Sequence, residues 1–194
     1  PHQIAVGDDY FDFLMKVWTI VSQHPKIKGN DKIMFELANE PIDIVGTDGT
    51  VGNGWNMAQF ESMNRFMQPI VDRIRESASN IIWVPGLGYQ SQYSGFAAHP
   101  ITGQDIGYAV HLYPGWMGSD GYNPDAGIYG DGGYVPFKNG WDNQVKPVAD
   151  FAPIIITEMD WAPAEYNPTG PERTWGTANT GLVGCEGIRA NSNE

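Results

Sequence analysis

Two glutamates in this chain stand at the ends of short apolar runs. Glu40 follows Lys32 to Ala38 (KIMFELA) and Asn39, and Glu158 follows Pro153 to Thr157 (PIIIT). Cleavage of a glycosidic bond needs one carboxylic acid to protonate the leaving oxygen and one carboxylate to attack the anomeric carbon, roughly 5–5.5 Å apart when configuration is retained. At that spacing mutual repulsion raises the pKa of one carboxyl above the other, so an acid and a base coexist near neutral pH. A third apolar run, Gly107 to Leu112, carries His111 near its end and Tyr113 just after it, both candidate orienting groups or substrate contacts. A flat ring can pack on the CH face of a pyranose. Trp55, Trp83, Tyr89, Trp116, Tyr122, Tyr134 and Trp161 are the candidate platforms. Trp116 is preferred because it follows the third run within a long loop, whereas Trp83 lies inside an apolar run and reads as core.

The elements that must hold these residues follow from periodicity. Asp8 and Asp9 precede Phe11, Leu14, Trp18 and Val21, a spacing that puts one apolar stripe on a helix ending before Pro25. The run 32–38 reads as a buried strand that Asn39-Glu40-Pro41 stops, since proline restricts the residue before it and cannot donate to a ladder. Residues 43–55 read as a Gly/Asp loop. Phe60, Met63, Met67, Ile70 and Ile74 then mark a second amphipathic helix to about Ser77, with Pro69 expected to kink or shorten it. Ile81 to Val84 is the next strand, 115–140 one long loop, Trp141 to Phe151 a short helix, and Pro153 to Thr157 the fourth strand. Residues 162–194 are loop-rich with no clear apolar period.

Apolar strands alternating with helices indicate an α/β fold whose parallel strands are covered on both faces. Polar residues at successive strand ends favour a (β/α)8 barrel over an open doubly wound sheet. An ordinary barrel of this kind takes about 250 residues, and only four strands are legible here. The expectation is one partial domain spanning 1–194.

Composition narrows the partners. The formal net charge is −12, from 23 acidic against 11 basic residues, which disfavours nucleic acid and acidic membrane surfaces. No run approaches the roughly 18 apolar residues that span a bilayer, and residues 1–7 lack the pattern of a signal peptide. Cys185 is the only cysteine, so no internal disulfide forms. The histidines share no ligand-like spacing with one another or with the acids, and no metal or cofactor is expected. Asp43, Asp48 and Asn53 lack the order of a calcium loop and read as solvated loop groups. Gly86-Leu87-Gly88 lacks the later Gly, Lys or Ser of a phosphate loop. Glu36, inside its strand, reads as a salt-bridge or interior residue rather than a chemical one.

Phe35-Glu36-Leu37-Ala38-Asn39-Glu40-Pro41 resembles the Asn-Glu-Pro signature of glycoside hydrolase family 5, a group of (β/α)8 retaining glycosidases. His111-Leu112-Tyr113 resembles that family's His-x-Tyr at the end of strand six, and Ile156-Thr157-Glu158 its strand-seven nucleophile. The resemblance runs from about residue 8 to 161 and implies a barrel covering about strands 4 to 7. It implies Glu40 as acid/base, Glu158 as nucleophile, Asn39 bonding the sugar 2-hydroxyl, and Tyr113 holding the nucleophile's carboxylate. His111 would be a supporting or substrate contact. The family's Arg on strand two, His near strand three and Trp after strand eight have no counterpart here. Asp160-Trp161 replaces the commoner residues after the nucleophile and makes Trp161 a further platform. The implied activity is endo-acting hydrolysis of a β-1,4-glucan by double displacement, without cofactor, with further domains or chain segments beyond this stretch. A polysaccharide too large to enter a cell implies a secreted or periplasmic enzyme. A β-mannanase or other family 5 hydrolase, or a non-catalytic carbohydrate-binding barrel remnant, is the alternative.

Overall fold

A computed structural model of the chain describes residues 2–112, 122–123, 128–129 and 134–159. Tyr113, Trp116, Trp161, Cys185 and the segment 162–194 lie outside the described residues. In chain order the elements are β1 (His2–Gln3), α1 (Asp9–Gln23), β2 (Phe35–Glu36), β3 (Pro41–Ile42), β4 (Ile44–Val45), β5 (Val51–Gly52) and α2 (Met57–Arg75). They continue with β6 (Ile82–Pro85), the single turn α3 (Leu87–Gln90), β7 (Ile106–Leu112), β8 (Tyr122–Asn123), β9 (Ile128–Tyr129), α4 (Tyr134–Gln144), α5 (Lys146–Ala149) and β10 (Ile154–Met159). The main sheet has the order β10-β7-β6-β2 and is parallel, with helices in the connections. This is the α/β repeat of a (β/α)8 barrel, present over four strands among the described residues.

The chain divides into two compact units, Pro1–Val110 with Pro147–Ile155 and His111–Lys146 with Ile156–Glu194. The core of the first is set by α1 and α2. Asp8 caps α1, its carboxylate accepting from Phe11 N at 2.9 Å and occupying one of the donors a helix start leaves unpaired. The Trp18 indole N–H donates to Leu37 O at 2.9 Å, and its ring lies 5.2 Å from that of Phe35, so α1 is pinned to the end of β2. Asn56 caps α2 by accepting from Gln59 N, and the expected stripe of Phe60, Met63, Met67, Ile70 and Ile74 is wholly buried. The α1–β2 connection is ordered from inside. Buried Asn80 accepts from Gly29 N at 3.0 Å, and its Nδ2 reaches Ile27 O, Asn30 O and Ile33 O at 2.9–3.2 Å. Arg75, in the last turn of α2, donates to Ala78 O, Asn80 O, Gln104 O and Asp105 O and closes the end of that helix.

Several expectations are corrected. Residues 43–55 are not wholly loop: β4 and β5 form a hairpin there, with Val45 paired to Val51. The Asp48 carboxylate accepts from Thr50 N and Thr50 Oγ1 across the turn, and Gly49 takes φ +82°, the Asp-Gly chemistry of a tight hairpin. Those two bonds, the side-chain one first, hold the Asp48 carboxyl below its usual range. Pro69 does not shorten α2, which runs unbroken for 19 residues; proline removes one backbone donor, and buried residues on both sides of it hold the helix. The helix expected from Trp141 begins at Tyr134, with Pro136 in its first turn, where a missing N–H is tolerated. The strand expected over 32–38 has ladder geometry only at Phe35–Glu36. Trp83 is half-buried rather than core, its indole lying against Gly107.

Candidate active site

Glu40 sits three residues beyond Leu37, whose N–H donates to Trp83 O as the last ladder bond between β2 and β6. Its backbone takes φ +48°, while Pro41 begins β3. Proline disfavours the right-handed helical region for the preceding residue, and a side-chain-bearing residue in the left-handed region carries strain of about 1–2 kcal/mol. Such a backbone persists only where neighbours over-determine it. Here the neighbour is Gln90. Its Oε1 accepts from Glu40 N at 2.8 Å, and its Nε2 donates to the Glu36 carboxylate at 2.9 Å and to Ala109 O at 3.2 Å. The amide orientation is fixed by its company, since the oxygen faces a donor and the nitrogen faces two acceptors. Glu36, half-buried, is a partner of the Gln90 amide.

Gln90 reaches that position from an unusual turn. Gly88, Tyr89 and Gln90 take φ of +54°, +57° and +55°, three consecutive left-handed residues. The turn is closed by Leu87 N to Gln92 O and Gln92 N to Leu87 O, and by Ser91 Oγ donating to Gly88 O at 2.6 Å. Beneath it Tyr93, fully buried, shares its hydroxyl hydrogen between Ala109 O at 2.6 Å and Gln90 O at 2.8 Å. Burial drives the Tyr93 phenol well above its ordinary pKa, so it is a neutral donor. Two glycines make the turn possible. A Cβ on Gly86 would lie 2.4 Å from the Tyr93 ring, and one on Gly88 would lie 2.7 Å from Asn53 O.

In the second unit His111, with a side chain 1% exposed, places Nδ1 3.4 Å from Glu158 Oε2, whose own side chain is 39% exposed. A buried imidazole thus lies against a carboxylate that stays reachable from solvent. The expectation gave this task to Tyr113, which lies outside the described residues with Trp116 and Trp161. Asn39 is exposed and Glu40 half-buried. Of the remaining platforms, Trp55 is 77% and Tyr89 40% exposed. Asp43 and Asn53 bond to each other, Asn53 Oδ1 accepting from Asp43 N at 2.7 Å. Gln90 and Tyr93 were not singled out from sequence. The only trace of them is a polar pair inside Gly86-Leu87-Gly88-Tyr89-Gln90-Ser91-Gln92-Tyr93, directly after an apolar strand.

Comparison with known proteins places this geometry. The chain matches the family model described as cellulase (glycosyl hydrolase family 5) over residues 4–174. It is 31% identical over 109 residues to an endoglucanase of Bacillus sp. (strain KSM-635), a stretch that is 56% of this chain and 11% of that protein. Among solved structures, the native β-glucanase SdGluc5_26A of Saccharophagus degradans aligns with a TM-score of 0.60 at 23% identity, over 94% of this chain and 49% of that one. The same enzyme in complex with cellotetraose aligns equally, at 22% identity over the same shares. The alkaline cellulase K catalytic domain aligns with a TM-score of 0.53 at 25% identity, over 93% of this chain and 46% of that one. The chain thus spans about half the length of its structural neighbours, in keeping with four strands of an eight-stranded barrel. The family match covers most of the sequence and falls on a parallel sheet of the same topology, so the chain belongs to glycosyl hydrolase family 5.

Proposed function

We propose that this chain supplies the acid/base and the nucleophile of a retaining, endo-acting β-1,4-glucanase working by double displacement. Glu40 protonates the leaving oxygen and later deprotonates water, and Glu158 attacks the anomeric carbon to give a glycosyl-enzyme intermediate. The observation that carries the reading is that both glutamates lie at or just beyond the ends of strands in a family 5 sheet, Glu40 after β2 and Glu158 in β10. The His111–Glu158 contact supports the second role, because an oriented, half-open carboxylate suits a nucleophile. Exposed Asn39, adjacent to Glu40, suits a bond to the sugar 2-hydroxyl. A glucan is favoured over a mannan because relatives are named endoglucanase and β-glucanase and one neighbour holds cellotetraose. Tyr113, Trp116 and Trp161 complete the substrate contacts in this reading. The enzyme would work outside the cell or in the periplasm, where such a polymer is found.

The test is hydrolysis of a soluble mixed-linkage β-glucan by the full-length protein, with the first-formed anomer read by proton NMR. The β anomer first supports retention; the α anomer first refutes it. Glu40→Gln should lower kcat by roughly 10²–10⁴-fold on an unactivated substrate, and Glu158→Gln at least as much, with glucan binding retained in both. Parallel loss of binding and fold would make these carboxylates structural. Faster turnover of β-mannan than of β-glucan would replace the substrate.

A further inference from the structure

We infer that Gln90 is a positioning residue for Glu40, holding the acid/base in its left-handed backbone conformation through the hydrogen bond from Glu40 N to Gln90 Oε1. The inference rests on the assignment of Glu40 as acid/base. Four observations lead to it. Gln90 is fully buried, and its side chain both accepts and donates, meeting Glu40 N, the Glu36 carboxylate and Ala109 O. Its own backbone is held left-handed, at φ +55°, the same rare region as Glu40 at +48°. The two unfavourable conformations are therefore joined by one bond. Finally, Tyr93 fixes the turn from below through Gln90 O and Ala109 O.

No other side chain meets these demands. A carboxylate at position 90 would still accept from Glu40 N but would face the Glu36 carboxylate and Ala109 O with no proton to give. Asparagine is one methylene short, and lysine or arginine cannot accept. Losing the bond frees Glu40 to relax toward ordinary backbone angles, which moves its carboxyl. A displacement of about 1 Å can cost on the order of 10²-fold in rate.

The experiment compares two aryl β-cellobiosides in the full-length protein, one with a poor leaving group that needs protonation and one with a dinitrophenyl group that does not. Gln90→Ala should lower kcat/KM on the poor leaving group by about 10- to 100-fold and on the activated one by only a few-fold. A residue that merely stabilises the fold would lower both alike. Gln90→Glu should show the same split. The exchanged pair Glu36→Gln with Gln90→Glu, which restores an amide facing a carboxylate, should recover much of it, and decides the matter if Gln90→Ala does not fold. Glu40→Gln is the reference. If it shows no split, the acid/base assignment fails; if it does and the Gln90 variants and the exchanged pair do not, the positioning role fails.

Discussion

The buried face of α2 and the turn at residues 86–93 lie in the same unit and are held by opposite means. Along α2, Phe60, Met63, Met67, Ile70 and Ile74 are fully buried or nearly so, and all of them come from one periodic stripe. In the turn, three successive residues are left-handed, and the contacts that fix them are polar and come from distant parts of the sequence, including Glu36, Glu40 and Ala109. A stripe tolerates some adjustment, since apolar contacts are non-directional. A strained turn does not, because each donor has a partner in one place. Stability is thus concentrated in the helix face and geometry in the turn.

Substitutions can separate the two. The largest effect on stability is expected for Ile70→Ala, which should cost roughly 2–5 kcal/mol by transfer and cavity formation. Its urea midpoint should fall while the ratio of rates on the two cellobiosides is unchanged; a changed ratio would merge the two regions. Gly86→Ala comes next, at about 1–3 kcal/mol from overpacking against the Tyr93 ring, and it should alter the ratio. Tyr93→Phe, which leaves buried Gln90 O without that donor, should cost about 1–3 kcal/mol and alter the ratio in the same direction.

Strand β7 carries a pH signature of its own. Burial raises the Tyr108 phenol from 10.0 to about 12. A group whose folded pKa lies above its unfolded value contributes stability that is complete below pH 10 and lost as pH rises toward 12, here roughly 2–3 kcal/mol. Tyr108→Phe should flatten that alkaline fall in urea titrations, and an unchanged slope would discount the shift. The smallest effect belongs to Asp8→Ala, which removes the α1 cap at about 1 kcal/mol and should leave both rates in proportion.

The same contrast explains what was legible in the sequence. The α2 stripe, the Asp8 cap and the strands at 82–85 and 106–112 follow from local spacing, and the Asn-Glu-Pro segment made Glu40 a candidate. The hairpin at 44–52 was missed because its strands are two residues each, although Asp48-Gly49 carried the turn. Gln90 and Tyr93 were missed for a deeper reason. Their partners lie up to 54 residues away, and no local period records such a bond. The His111–Glu158 contact was half legible: both residues were named, but not that His111 itself meets Glu158.

Asn80 has a consequence for the order of events as the chain is made. Its amide meets the backbone of residues 27–33, which precede it by 47 to 53 positions. At about 5–20 residues per second, the connection between α1 and β2 waits roughly 3–10 s on the ribosome for the residue that closes it. Until then the connection has only its own local turns and the Trp18 contact to hold it, and the bonds that close it from inside are still missing.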